Sequence, residues 1–187
     1  MKAVNLVAIC IAVLVSAAAT VYGAASPSKQ PEWPAIVDGN GNLHVPEGYR
    51  TNYQFLGTWV VAGEGQAAKE LHVVYASPGV LDEYHSSKQF ADGAVLVKEV
   101  FQAQTAQMTT GTVNRADTLK GWFVMVKDAQ GRYPGNKLWG DGWGWAWFDA
   151  ADPANTTSTD YKFNCLSCHV PARDSDWVYV VGYPPLR

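Results

Sequence analysis

The six residues Asn164–His169 constrain this chain more than any other stretch. They place Cys165 and Cys168 two residues apart in the chain, with His169 directly after the second cysteine. This Cys-x-x-Cys-His spacing is the attachment signature of a c-type haem. On a tight helical turn the two thiols can form thioethers with the two vinyl groups, and the histidine can ligate the iron from one side. The pattern predicts one covalently bound haem c, with His169 as the proximal ligand.

The two cysteines could also serve as a disulfide, a redox motif or zinc ligands. In an exported chain they could form a disulfide. A redox Cys-x-x-Cys belongs near the start of a βαβ pattern, whereas this pair lies close to the C-terminus with no such pattern around it. A zinc site would need two more ligands, from His44, His72, His85 or carboxylates, and none has finger-like spacing.

The N-terminal residues have the layout of an export signal. Lys2 is followed by an uncharged run, Ala3 to Ser28, that closes in small residues. This layout predicts a signal peptide over residues 1–25, cleaved after Gly23 or Ala25, and a periplasmic protein. A retained membrane anchor is the alternative, because the uncharged run is long enough to span a bilayer.

The remaining chain is the size of one domain, which we place at residues 45–187 after a leader segment at residues 26–44. The formal net charge is −3 and basic clusters are missing, which argues against nucleic acid as a partner. Short apolar stretches with strand-like alternation predict an α+β fold, mainly antiparallel β, with a few short helices around the haem.

Several local elements can be predicted. Strands are expected at Leu71–Ala76, Ala94–Gln102, Trp122–Val126 and Trp177–Tyr183, a helix from Ser77 to near Phe90, and a surface loop over Ala103–Lys120. In the stretch from Gly142 to Phe148, three tryptophans share one face and small residues the other. Core packing is the expected role of these tryptophans, and an exposed sugar-binding stripe is the alternative.

The strand Ala94–Gln102 carries an unusual lysine. Alternation places Lys98 on one face between Leu96 and Val100, while Glu99 shares the other face with valines. An edge-strand lysine that discourages aggregation would explain this, as would a lysine whose stem covers apolar surface while its amine reaches water.

The position of the haem motif narrows the class of cytochrome. Small electron-transfer cytochromes have a methionine ligand downstream of the motif, but no methionine follows His169 here. An iron bound by His169 alone has an open distal position, suited to binding gases or to chemistry. A plain electron carrier would need a sixth ligand from His72 or Met125.

Two separated stretches resemble the cytochrome P-460 family. The first is the lysine strand, Phe90 to Val100, and the second is Cys165–His169 followed by Asp176-Trp177-Val178-Tyr179 and Tyr183-Pro184. The resemblance runs from about residue 45 to residue 186. It implies a mainly antiparallel β fold, commonly dimeric.

The resemblance also implies roles for individual residues. Lys98 matches a lysine that becomes linked through its amine to a porphyrin meso carbon, which distorts the macrocycle and supports hydroxylamine oxidation. Asp160 is the nearest match to a distal carboxylate that acts as a base, although a helix cap is an equal alternative. His72 stands where an arginine is expected, and a titratable ring there changes the electrostatics of the distal pocket.

The resulting hypothesis is a periplasmic monohaem cytochrome that oxidises hydroxylamine to nitrous oxide or nitric oxide. It would pass electrons to a soluble c-type cytochrome and form a homodimer. Whether the chain is an enzyme stays open at this point. The alternatives are a nitric oxide- or carbon monoxide-binding protein like the cytochromes c′-beta, which keep the fold without the cross-link, and a simple electron carrier.

Overall fold

The structure, a computed structural model, describes residues 33–187. Its strands are β1 (Gln54–Ala62), β2 (Ala68–Ala76), β3 (Val95–Met108), β4 (Gly111–Lys127), β5 (Trp139–Gly140), β6 (Trp143–Asp149) and β7 (Asp152–Thr156). They form one antiparallel sheet in the spatial order β1-β2-β3-β4-β6-β5, with β7 paired to β6. The predicted α+β class with mainly antiparallel strands is confirmed.

The helices are short and connect or flank the strands. They are α1 (Trp33–Ile36), α2 (Tyr49–Asn52), α3 (Val80–Ser87), α4 (Tyr161–Asn164) and α5 (Leu166–His169), with 3-10 turns at Val170–Ser175, Val180–Gly182 and Pro184–Leu186. No helix within residues 33–187 has the length and apolar character needed to cross a bilayer. The predicted signal peptide, residues 1–25, lies outside the described residues.

The sheet separates two hydrophobic cores. Val95 and Val97 of β3 pack into one core, and Leu96 packs into the other, on the face that carries Lys98. The predicted alternation along this strand is therefore confirmed. The first core also contains Ile36 and Val37, which are 2% and 1% exposed. The packed domain thus extends further toward the N-terminus than the predicted start at residue 45.

The tryptophans of β6 serve mainly as core residues, as predicted. Trp143 and Trp145 are at most 1% exposed, and Trp147 is half-buried. The small residues on the other face admit a further ring. A Cβ added to Gly144 would come within 2.7 Å of the Trp139 side chain, so only glycine allows this indole to lie against the strand.

Two local predictions are wrong. The stretch Ala103–Lys120 is not a loop, because β3 and β4 continue through it as a hairpin that turns at residues 109 and 110. Most of its side chains are exposed on both faces. A hairpin solvated on both faces has no need for alternating apolar residues, so the pattern that identifies a strand is missing.

The predicted last strand, Trp177–Tyr183, is also wrong. Asp176 and Trp177 have left-handed backbones, with φ of 56° and 67°, and a 3-10 turn follows at Val180–Gly182. Trp177, Val178 and Tyr183 are nevertheless at most 9% exposed. The aromatic and β-branched composition here reflects burial against the sheet and not strand structure.

Candidate haem site

A cavity lies against the face of the sheet that carries Lys98. Its volume is about 430 Å³, and side chains from β2, β3, β4 and β6 form one wall while the haem-motif segment and Tyr183 close it. Cofactor pockets typically measure about 300–1,000 Å³ and are mostly apolar. Val74, Leu96, Val100 and Phe123 give this wall its apolar character.

Helix α4 docks the haem motif onto the sheet through Tyr161. The Tyr161 ring stacks on Trp145 at 6.1 Å between centroids, and its hydroxyl donates to Asp141 Oδ2 at 3.0 Å. Gly140 makes this approach possible, because a Cβ there would lie 2.3 Å from the Tyr161 hydroxyl. The Cys165 N–H then donates to the Tyr161 carbonyl at 2.9 Å, which joins the motif to this anchor.

Both cysteines of the motif line the cavity as free thiols. Cys165 is buried and Cys168 is exposed. The disulfide alternative is not observed. Among residues 33–187, no three histidine, cysteine, aspartate or glutamate side chains are grouped so that they could hold a metal ion.

His169 is held by its own chain in the tautomer that haem ligation needs. Its Nδ1 donates to the Trp177 carbonyl at 2.7 Å, which leaves Nε2 as the ring nitrogen for a metal. The imidazole edge meets the Trp145 ring at 4.9 Å and 76°. Burial lowers the pKa of His169, although the hydrogen bond to Trp177 opposes this shift. The neutral imidazole is the ligating form.

Lys98 projects into the same cavity as His169. Its Nζ lies 4.3 Å from the centroid of the Phe123 ring. Strand β3 is paired on both sides, with β2 and β4, so the edge-strand explanation of this lysine is wrong. Burial lowers the pKa of Lys98, and the two cysteine thiols are the main opposing influence. A neutral amine is the nucleophilic form of lysine.

Three charged or titratable side chains form a polar wall of the cavity. His72 Nε2 and Glu70 Oε2 lie 3.0 Å apart, and Lys120 Nζ forms an ion pair with the other Glu70 oxygen. Burial lowers the pKa of His72, against the opposing hydrogen bond to Glu70. The hydrogen bond from Lys120 is the main reason that the pKa of Glu70 is lowered.

Glu70 was missed by the sequence reasoning, although a signal existed. It lies two residues before His72 in β2 and therefore on the same face of the strand. His72, which the sequence singled out, lines the cavity together with Lys98 and His169. Met125, the other candidate sixth ligand, lines it as well.

Asp160 is placed differently from the other predicted site residues. It is the N-cap of α4, and its Oδ1 accepts the Lys162 N–H at 3.0 Å. It does not line the cavity formed by the described residues. This is the helix-cap alternative considered for Asp160, and the physical reason is that a short helix needs an acceptor for its unpaired N–H groups.

The donor set fits a covalently attached haem. Two free thiols, one neutral imidazole with a fixed tautomer and a large apolar cavity lie together, and these are the groups that a c-type haem uses. The sequence profile of the cytochrome P-460 family matches residues 46–180. No curated protein compared with the chain matches it significantly. Because the matched residues cover most of its length and include the lysine strand and the haem motif, the chain belongs to the cytochrome P-460 family.

Proposed function

We propose that this protein is a periplasmic monohaem c-type cytochrome that oxidises hydroxylamine and passes the electrons to another cytochrome. The observation that supports this most directly is that the Lys98 amine and the His169 imidazole share one cavity with two free thiols. Family membership implies a haem cofactor.

The residues of the haem motif hold the cofactor in this proposal. Cys165 and Cys168 would form the thioethers, and Nε2 of His169 would be the iron ligand. When bound, the haem supplies a redox-active iron with one position open to a small nitrogenous ligand. The apolar wall around Val100 and Phe123 limits the water that reaches that position.

The polar wall removes the protons. Oxidation of one hydroxylamine to nitric oxide releases three protons and three electrons, and coupling two hydroxylamines to nitrous oxide and water releases four of each. His72 accepts protons as a neutral imidazole, because burial lowers its pKa. Glu70 orients the ring through the contact with Nε2, and Lys120 holds Glu70 in place.

Lys98 modifies the cofactor. Its amine nitrogen would be the group that bonds to a porphyrin meso carbon, with loss of one hydrogen from each atom, so the cross-link would need a two-electron oxidant such as a peroxide. Burial lowers the pKa of Lys98, which favours the neutral amine that this bond would need. Distortion of the macrocycle is a recognised way for a protein to tune haem chemistry.

Substitutions in the polar wall test the assignment of the proton acceptor. We expect His72→Gln and Glu70→Gln each to lower hydroxylamine-dependent reduction of an acceptor cytochrome, by about 100- to 10,000-fold for His72, the usual range for loss of an acid–base group. Asp160→Asn is the matched carboxylate control outside the cavity, and it should retain turnover. Stopped-flow reduction of the acceptor under saturating hydroxylamine measures these rates.

The pH profile provides the second part of this test. Because the neutral form of His72 is the active one, turnover should fall as the pH drops through the pKa of His72, which lies below the ordinary value of about 6.5. His72→Gln should remove this acidic limb. A large loss in Asp160→Asn with normal turnover in His72→Gln would transfer the role of base to Asp160.

A second function is supported by the apolar lining and by the position of Asp160. A cavity with Val74, Val100 and Phe123 along its wall suits a nitric oxide- or carbon monoxide-binding protein in which Lys98 stays unlinked. An ordinary five-coordinate spectrum with tight gas binding and no hydroxylamine turnover would identify this function. A low-spin six-coordinate spectrum would instead favour an electron carrier with His72 or Met125 as the sixth ligand.

Export and self-association are further parts of the proposal. We expect protein recovered from the periplasm to begin after Gly23 or Ala25 and to be a homodimer. Native mass spectrometry of the haem-loaded protein measures both at once, as the mass of one mature chain with one haem and as twice that mass for the assembly. A chain that retains residues 1–25, or a monomer at micromolar concentration, would contradict the respective expectation.

A further inference from the structure

A largely buried ion pair lies outside the haem cavity. One of its two residues, Asp176, belongs to the segment that follows the haem motif in the chain. Lys127 Nζ and Asp176 Oδ1 are 2.6 Å apart, and the two side chains are only 13% and 17% exposed. Trp143, which is fully buried, donates its indole N–H to the same carboxylate oxygen at 3.1 Å and to the Asp176 backbone carbonyl at 3.1 Å. The Phe90 N–H approaches the other oxygen at 3.4 Å.

These contacts hold an unusual backbone. Asp176 and Trp177 are consecutive non-glycine residues with left-handed conformations, with φ of 56° and 67°. Such conformations are unfavourable for residues with a Cβ and persist only where the surrounding structure determines them strongly. Lys127 at the end of β4 and Trp143 at the start of β6 hold this conformation through their contacts with Asp176.

The left-handed turn directs the Trp177 carbonyl at the proximal histidine. This carbonyl accepts the hydrogen bond from His169 Nδ1 at 2.7 Å, and it belongs to the residue directly after Asp176. A proximal histidine that donates such a bond is more basic at its other nitrogen and stabilises the more highly charged ferric iron. The strength of the bond therefore depends on how firmly the turn is held.

We propose that Lys127, Asp176 and Trp143 are positioning residues that hold the Trp177 carbonyl against His169 and thereby lower the reduction potential of the haem iron. The three side chains act through the backbone and do not touch the cofactor cavity. The proposal requires only that His169 ligates the iron, and it holds whatever the substrate is. Its failure would leave the hydroxylamine assignment unaffected.

Two substitutions remove the ion pair with little change in shape. Lys127→Met keeps the stem and removes the charge, and Asp176→Asn keeps a residue type that tolerates the left-handed region. In the haem-loaded protein we expect both to move the iron–histidine stretching band of the ferrous state to lower wavenumber. Both should also raise the midpoint potential measured by spectroelectrochemical titration. The double variant should shift no further than the larger single effect, because both changes break one contact.

Trp143→Phe gives an independent reading, since it removes only the indole N–H donor and retains an aromatic ring. It should shift the stretching band and the midpoint potential in the same directions by smaller amounts. If Asp176→Asn does not accumulate, this variant still tests the proposal. Arg50→Met is the matched control. It breaks the Arg50–Glu99 ion pair, which lies on the opposite face of the sheet from the haem cavity, and should leave both readouts unchanged. Unchanged values in Lys127→Met and Trp143→Phe, shifts of opposite sign, or equal shifts in the control would each overturn the proposal.

Discussion

Replacing Lys98 with alanine is expected to return the spectrum of the reduced protein to that of an ordinary five-coordinate haem c. In the unmodified protein we expect a broad, strongly red-shifted Soret band, because a covalent bond to a meso carbon distorts the macrocycle and alters its electronic transitions. The physical basis is the position of the amine in the same cavity as His169, together with the burial that lowers the Lys98 pKa.

Two further variants distinguish the effect of a covalent bond between Lys98 and the haem from the effect of a positive charge in the cavity. Lys98→Arg keeps a cation at this position but removes the nucleophilic amine, because a guanidinium stays protonated, so it should resemble Lys98→Ala in spectrum. Lys120→Ala removes the other lysine of the cavity and should keep the red-shifted band. A proteolytic peptide that carries Lys98 joined to the haem would prove the bond by mass. Identical spectra for the unmodified protein and Lys98→Ala would exclude Lys98 from tuning the cofactor.

Replacing both Cys165 and Cys168 with alanine is expected to abolish thioether attachment completely. The two thiols are free, line the cavity and belong to the segment that Tyr161 anchors to the sheet. The measurement is haem retention on a denaturing gel or after acidic organic extraction. Because a lysine link would also retain the haem, the double replacement must be combined with Lys98→Ala.

The full set of variants makes the result unambiguous. Lys98→Ala alone should retain haem through the thioethers, whereas the triple variant should release all of it. Haem that stays covalently bound in the triple variant would require an attachment point that the proposal does not contain.

The haem motif and the lysine strand could be predicted because their information is local. The spacing of Cys165, Cys168 and His169 within one helical turn carries the attachment chemistry by itself. Alternation along β3 likewise assigned Lys98 and Glu99 to opposite faces of the sheet, and the structure bears this out. Glu99 lies on the face of Val95 and Val97, where it accepts a hydrogen bond from Tyr49 and pairs with Arg50.

Other elements could not be predicted, because their determinants lie far away in the chain. The hairpin formed by β3 and β4 is solvated on both faces, so its composition resembles that of a loop. The segment after the haem motif has the composition of a strand, but it turns left-handed at Asp176 because Lys127 and Trp143, about 30 to 50 positions upstream, bind its carboxylate. The helix and strand propensities of a short segment do not depend on such distant partners and therefore cannot reveal them.

The sequence by itself determined the kind of fold, the position of the Cys-x-x-Cys-His motif and the face of the strand that Lys98 occupies. Only the tertiary structure decided which side chains share the cavity with that lysine. It joined Glu70 and Lys120 to His72, and it placed Asp160 at a helix cap. The reason is that backbone periodicity assigns a side chain to a face, whereas its neighbours on that face depend on the register of strands that are distant in sequence.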